Sequence, residues 1–297
     1  MADFFKLNEE YYRVPGNFTF KDVYLAEFIR KETLERPELF QIKSDDCFVV
    51  SYPKSGTTWT LELTQLIMNN GDTTYTESEN HFDRMPFIEF KLPKFPKMDG
   101  VKAMQIKESP RLLKSHLPIH LFPSQALHMG CKFIFVVRNP KDTVTSYYNF
   151  YQAMPSLYGD YKGDFSNYLK LFMNGKVVYG DWFDFTLGWW KYLNGNNALF
   201  LKYEDMKKNP RDATVKIAKY LNYDLGDDVI DKITEYCSFA KMKASKFINF
   251  EEIKGRPFLR KGATGDWKNY FTVAEDEAFD EVYNERMKDS GLSFDWE

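Results

Sequence analysis

The sequence predicts an α/β fold: a single domain over residues 1–297, built on a central, mostly parallel β-sheet flanked by helices, with a P-loop-like anion-binding loop. Three observations predict it. Short apolar runs alternate with helical patterns, as in βαβ units. The strongest runs end in Lys, His or Arg immediately before a helix or a proline turn. No stretch reads as a linker between domains, and no repeat or low-complexity segment interrupts the chain.

Each element follows from local chemistry. Buried strands are predicted at 47–52, 111–115, 132–137 and 197–203, where the apolar runs are short and continuous. A helix is predicted over 57–70, with Leu63, Leu66 and Ile67 on its apolar side and Gly71-Asp72 as the stop. A second helix begins after Asn139-Pro140 and a third covers 210–221 after Asn209. In both, Asn is a good N-cap and Pro suits the first helical position. Three stretches read as long loops: 86–100, with Pro86, Pro93 and Pro96; 155–163, with Gly159 and Gly163; and the basic, irregular 241–267. Long loops of this kind tend to be functional or mobile.

Composition narrows the function. The 297 residues are 43% hydrophobic and 28% charged, which is globular. Forty Lys and Arg face 43 Asp and Glu, a formal charge of −3. That excludes a generally basic surface for nucleic acid or acidic lipid, so an anionic ligand must be held by a local cluster. Aromatic residues reach 18%, enough for the core and for a pocket that takes flat, apolar molecules. Cys47, Cys131 and Cys237 lack the spacing of a disulfide framework or a metal site, and Cys47 and Cys131, at the mouths of apolar strands, read as reduced, buried thiols. The first residues show no basic-then-apolar leader, and no apolar run nears the ~18 residues of a membrane span. A cytoplasmic protein is expected.

The stretch Cys47-Phe48-Val49-Val50-Ser51-Tyr52-Pro53-Lys54-Ser55-Gly56-Thr57-Thr58-Trp59 carries the most chemistry. A buried strand passes through a short loop of Lys, Ser, Gly and Thr straight into a helix. Backbone N–H groups and the positive end of the helix point into such a loop, so it favours an anion. Gly56 permits close backbone approach and Lys54 adds a full charge. It is not a Walker A loop, because the lysine precedes the glycine and no strand-borne Asp for Mg²⁺ follows. The alternative is an ordinary helix start capped by Ser55 or Thr57.

Lys132-Phe133-Ile134-Phe135-Val136-Val137-Arg138-Asn139-Pro140 repeats the architecture, and Ser146 lies two turns further on. Arginine offers a planar donor fork suited to phosphate. Ligands of open α/β sheets lie beyond the carboxyl ends of the strands. Lys54 and Arg138 therefore mark two anion sites on one edge, as a doubly phosphorylated nucleotide needs. The alternative is a surface arginine paired with Asp142. Of His81, His116, His120 and His128, His116 alone ends a predicted sheet strand at that edge, beside Ser115 and a second lysine, Lys114. Pro118 argues against a helical metal pair with His120, and no metal is predicted.

With these residues in place the chain resembles the cytosolic sulfotransferases, which use 3′-phosphoadenosine 5′-phosphosulfate (PAPS). The strongest matching pieces are Tyr52-Pro53-Lys54-Ser55-Gly56-Thr57-Thr58-Trp59, Arg138-Asn139-Pro140-Lys141-Asp142 running to Ser146, and Phe258-Leu259-Arg260-Lys261-Gly262 before Gly265-Asp266-Trp267. The resemblance implies that Lys54, Ser55, Gly56, Thr57 and Thr58 hold the 5′-phosphosulfate while Trp59 stacks on adenine. It assigns the 3′-phosphate to Arg138, Ser146 and the Arg260-Lys261-Gly262 segment, and places Phe258 and Leu259 among the cofactor-binding residues. Tyr203 would touch the nucleotide, and Cys237, Ser238, Phe239 and Met242 would pack around the base. The family often has Thr where Cys237 stands. The implied catalytic set is His116, Lys54, Lys114 and Ser146. The acceptor side is implied at Phe87 and Phe150, beside Lys114, Ser115 and His116. Residues 268–277, from Lys268 through Thr272-Val273 to Glu277, fit the family's short dimerisation pattern, which implies a homodimer.

Neutral imidazole at His116 suits removal of a hydroxyl proton, since phenols titrate near ~10. Lysines suffice for a sulfuryl group, which bears one negative charge fewer than a phosphoryl group. Two other readings are a P-loop-type ATP-dependent kinase of small molecules and a non-catalytic binder of nucleotides or hydrophobic ligands. The missing Gly-Lys-Ser/Thr order and Mg²⁺ acid weigh against the first.

Overall fold

The computed structural model describes residues 4–7, 17–92, 99–193, 198–248 and 258–297. In chain order, β1 (Phe18–Phe20) and β2 (Val23–Leu25) form an antiparallel hairpin ahead of α1 (Lys31–Glu35). β3 (Cys47–Ser51) leads into α2 (Thr57–Met68). α3 (His81–Arg84) and α4 (Gly100–Ile106) precede β4 (Leu112–Ser115), and α5 (Ser124–His128) precedes β5 (Lys132–Val137). Then come α6 (Pro140–Ala153), α7 (Pro155–Tyr158), α8 (Phe165–Met173), α9 (Trp182–Leu193) and β6 (Ala198–Lys202). α10 (Tyr203–Lys208), α11 (Pro210–Leu221), α12 (Asp227–Tyr236), α13 (Phe239–Ala244) and α14 (Val273–Met287) complete the order.

The sheet runs β4-β3-β5-β6 and every pairing in it is parallel. Parallel sheets are covered on both faces, which is why these strands read as continuous apolar runs. Alternation divides them cleanly. Phe48, Val50, Phe133, Phe135 and Val137 face a layer of aromatic side chains from α6, α8 and α9. Cys47, Val49, Ile134 and Val136 face α2, α11 and α12. At the opposite end from the strands' carboxyl termini, Arg111 grips Asp46 through two contacts of 2.6 Å, with both side chains buried. The same guanidinium donates to the Met104 and Gln41 carbonyls, so it pins three segments together.

β4 and β5 lie on opposite sides of β3, so the chain reverses direction across the sheet there. The crevice above the carboxyl ends at such a switch point is where ligands of α/β sheets bind.

The helix expected over 57–70 stops at Met68, because Asn70 (φ 51°) and Gly71 (φ 77°) turn left-handed and the Gly71 N–H caps Leu66. The stretch 86–100 is not simply a loop. Lys114 donates to the Pro86 carbonyl and Ile88 to the Lys114 carbonyl, laying the segment along the free edge of β4; Gly100 then opens α4. The stretch 155–163 contains α7, and 241–267 begins inside α13. Residues 93–98 and 249–257 of these stretches lie outside the described residues.

Candidate active site

The loop after β3 is closed by its own polar groups. Ser51 and Thr57 share a hydroxyl hydrogen bond of 2.6 Å, and the Ser55 N–H reaches the Tyr52 carbonyl at 3.3 Å. Lys54 sits at φ 71° and Gly56 at φ 102°. A lysine held left-handed is a strained residue of the kind that collects at functional sites. At Gly56 a Cβ would lie 2.7 Å from the Tyr203 ring, so the close approach is made by that tyrosine. Gly262, at φ 62°, likewise lets Phe239 come within 2.2 Å of where a Cβ would stand.

Above this loop lies a cleft of about 270 Å³. Each strand end contributes: Lys54 after β3, Lys114 and His116 at β4, Arg138 at β5 and Tyr203 at β6. Gly56, Thr57, Thr58 and Trp59 line its floor, with Ser146 and Phe150 from α6. Cys237, Phe239 and Met242 form one wall, and Phe258, Leu259, Arg260, Lys261 and Gly262 another. Phe87 lines the far end. Three expected residues stand apart. Ser55 is buried beneath the loop with a hydroxyl that has no partner among the described residues. Ser115 is turned into the protein, where its hydroxyl accepts the Leu117 N–H at 3.1 Å. That corrects its expected place on the acceptor side, because neighbouring residues of a strand point to opposite faces. Ser238 precedes α13 as its N-cap residue and does not line the cleft.

The cleft is polar and cationic at one end and aromatic at the other. Arg138 stacks on Tyr203 (4.5 Å to the ring centroid) and donates to the Ala263 carbonyl at 2.7 Å. It also lies 3.5 Å from Asp142, the partner expected of a surface arginine, yet it is buried and its Nε lacks a partner among the described residues. Asp142 is already engaged by the Gly265 and Trp267 N–H groups. Arg260 and Lys261 share Asp266, at 2.5 and 2.6 Å, so one carboxylate meets two cations there. Trp59 meets Tyr203 edge-on at 5.9 Å.

At the aromatic end Lys54 Nζ lies 4.0 Å from the centroid of Phe150 and 4.8 Å from that of Phe258. Lys114 Nζ lies 4.3 Å from that of Phe87. Such contacts stabilise a cation where water is excluded. Burial pushes the Lys54 ammonium down to about 7, helped by Lys114, Arg138 and Arg260. Burial pushes Lys114 down to about 8, against the pull of Glu89. An anion entering the cleft would reverse both shifts.

His116 is packed edge-on between Phe87 (5.1 Å) and Tyr179 (5.4 Å). Its Nδ1 stands 2.6 Å from the Ser51 carbonyl oxygen, which can only accept, so Nδ1 carries the proton and Nε2 keeps the lone pair. Burial, then Lys114 and Lys54, hold its pKa well below the usual histidine value. The ring is therefore a neutral acceptor at the junction of the cationic and aromatic ends.

Sequence reasoning missed Phe82, Phe90, Tyr158, Asn149 and Lys207, all of which line the cleft. Phe90 lies inside the proline-marked stretch that already held Phe87, Phe82 lies just ahead of it, and Tyr158 lies in a stretch read as a long loop. Those placements were the available signal. Lys207 had none. Among the described residues no group of His, Cys, Asp and Glu could hold a metal ion.

A cationic loop at the switch point of a parallel sheet suits a ligand that carries anionic groups. The family described as "Sulfotransferase domain" matches residues 44–291. Sulfotransferase 1B1 of Canis lupus familiaris is 40% identical over 267 residues, covering 88% of this chain and 89% of its own. Among solved structures, mouse sulfotransferase SULT7A1 complexed with PAP superposes with a TM-score of 0.75 at 31% identity, covering 92% of this chain and 95% of that one. Retinol dehydratase in complex with androsterone and inactive cofactor PAP shares the fold, with a TM-score of 0.82 at 23% identity and 97% of both chains covered. The chain belongs to the sulfotransferase family.

Proposed function

We propose that this protein transfers the sulfuryl group of PAPS to the hydroxyl group of a small, aromatic or apolar acceptor, with His116 as the general base. The observation that carries the reading is the fixed tautomer of His116, which leaves Nε2 its lone pair on a ring that lines the cleft together with Lys54, Lys114 and Phe87. The acceptor hydroxyl gives its proton to Nε2 as its oxygen bonds to sulfur. The bond from sulfur to the 5′-phosphate oxygen breaks, and 3′-phosphoadenosine 5′-phosphate (PAP) leaves with the electron pair. Lys54 and Lys114 stabilise the charge on the transferring group and the leaving oxygen. Both substrates are in the cleft together, so no covalent enzyme intermediate is needed.

Two anion subsites support the nucleotide. The Lys54–Thr58 loop at the start of α2 suits the 5′-phosphosulfate, and Arg138, Ser146 and the Arg260–Gly262 piece suit the 3′-phosphate. Trp59, Tyr203 and Phe239 suit the base. Phe82, Phe87, Phe90, Phe150 and Tyr158 form the acceptor side, where flat molecules gain most from burial.

The same reading takes residues 1–297 as one domain working as a homodimer. Val273 supports the dimer: it is 76% exposed at the start of α14, next to the Thr272–Glu275 capping box. A cytoplasmic site of action agrees with three free, buried thiols. No described helix is long and apolar enough to cross a membrane.

Thermal-shift screening of phenols, alcohols and amines, with and without PAP, tests the acceptor assignment. Phenols should raise the melting temperature further when PAP is present. Stabilisation by phenols that PAP abolishes would contradict two substrates sharing one cleft.

A further inference from the structure

Reading His116 as the base leaves a buried acid beside it without a role. Glu89 is fully buried at the end of the segment that pairs with Lys114, and its own carbonyl accepts the Arg30 N–H at 2.9 Å. Its carboxylate Oε1 accepts the backbone N–H of His116 at 2.7 Å. Oε2 has no hydrogen-bond partner among the described residues. Lys114 and Ser115 face this carboxyl group from β4, Tyr158 faces it from α7, and Tyr179 faces it from the turn ahead of α9. Tyr179 also packs against the His116 ring and is held at φ 71° by its N–H bond to the Tyr24 carbonyl.

We infer that Glu89 is a positioning residue for the transfer reaction: it clamps the turn that carries His116 and supplies a negative charge facing Lys114. The inference rests on His116 being the base. The clamp acts on the backbone and the Ser51 carbonyl acts on the ring, so the imidazole is fixed from both ends. The electrostatic part follows from burial. Glu89 is pushed up to about 7 chiefly by burial, with the bonds from His116 and Ser115 and the charge of Lys114 opposing the rise. Lys114 is pushed down to about 8 by burial with Glu89 opposing the fall. Each group thus helps the other stay charged, and above pH 7 the ionised carboxylate helps Lys114 keep the proton with which it meets the sulfuryl group. Below pH 7 Lys114 is protonated without that help.

Two substitutions separate the clamp from the charge. Glu89→Gln keeps a carbonyl oxygen for the His116 N–H and removes the charge. The alkaline limb of kcat/KM should then move down by about one pH unit, while PAP affinity measured at pH 7 stays within about twofold. Glu89→Ala removes both, and kcat should fall on the order of tenfold or more with PAP affinity again preserved. The nitrogen NMR signals of His116 in nucleotide-free protein report the clamp without any turnover. They should show a single Nδ1–H tautomer in the native protein and in Glu89→Gln, and a mixture in Glu89→Ala. An Ala variant with native kcat, native pH profile and an unchanged His116 signal would overturn the inference. So would equal losses of kcat, PAP affinity and melting temperature in both variants with the alkaline limb unmoved, which is what a merely structural acid would give. Should the Ala variant not fold, the Gln limb decides. A native protein that transfers no sulfuryl group, yet whose His116 signal responds to Glu89→Ala, would refute the functional reading and leave the clamp standing.

Discussion

The ring of His116 and the backbone of Ser51 meet at 2.6 Å, joining the residue after β4 to the last residue of β3. The contact fixes which nitrogen can take a proton, and it depends on the parallel register that aligns Val50 with Ser115. His116→Ala should therefore abolish turnover, by 10²-fold or more, and leave PAP affinity within about twofold. Activity retained at the native level, measured as initial rate with saturating PAPS, would remove His116 from its role.

The state of that ring also sets a pH dependence. Burial and the charges of Lys114 and Lys54 hold its pKa well below the usual ~6.5. The base is thus neutral through that range and protonates only well below it. On its acid side the kcat/KM profile should not begin to fall until the pH drops below about 6, and an acid limb centred at 6.5 or above would contradict the buried, neutral imidazole.

Arg138 should discriminate nucleotides by their 3′ end. Its donors to a charged oxygen are worth about 1.5–3 kcal/mol, or roughly 10- to 150-fold. Arg138→Ala should weaken PAP binding by that order and adenosine 5′-phosphosulfate binding far less, as read by calorimetry. Equal weakening of both would remove Arg138 from the 3′-phosphate subsite.

Nucleotide binding should take up protons. In the free protein Lys54 titrates at about 7 and Lys114 at about 8, both lowered chiefly by burial. An anion bound beside them raises both values, so affinity for PAP rises as pH falls from about 9 to 7. Calorimetry in buffers of different ionisation enthalpy measures the uptake, and release of protons on binding would contradict it.

Stability away from the cleft rests on Arg111 and Asp46. Asp46→Ala leaves a buried guanidinium without its carboxylate, which costs about 3–5 kcal/mol. Urea denaturation should show a loss of that size. The folded fraction should bind PAP normally, because the pair lies at the far end of the sheet; a loss below 1 kcal/mol would contradict its burial.

Much of this site was legible because it is local. Lys54, Arg138 and His116 each follow a strand recognisable from its apolar run, Gly56 opens the helix after the first of them, and the parallel topology delivers strand ends to one edge without further information. What stayed hidden depends on contacts between distant residues. The aromatic cradle of Lys54 joins it to Phe258, and Gly56 is needed because of Tyr203. α8 and α9 carry aromatic side chains to the sheet, and the sequence reading assigned neither helix. Ser115 was misplaced because strand alternation gives only one of two adjacent residues to the cleft. Glu89 reads as one acid in a proline-marked loop until that loop is seen to pair with β4.

The most direct test of sulfuryl transfer through His116 is passage of labelled sulfate from PAPS to a phenol, with EDTA present, by the native protein and by His116→Ala. The native protein should release labelled aryl sulfate and PAP in equal amounts, and the variant none above background. A native protein that binds PAP but releases no labelled product, across a panel of phenols and alcohols, would contradict that transfer.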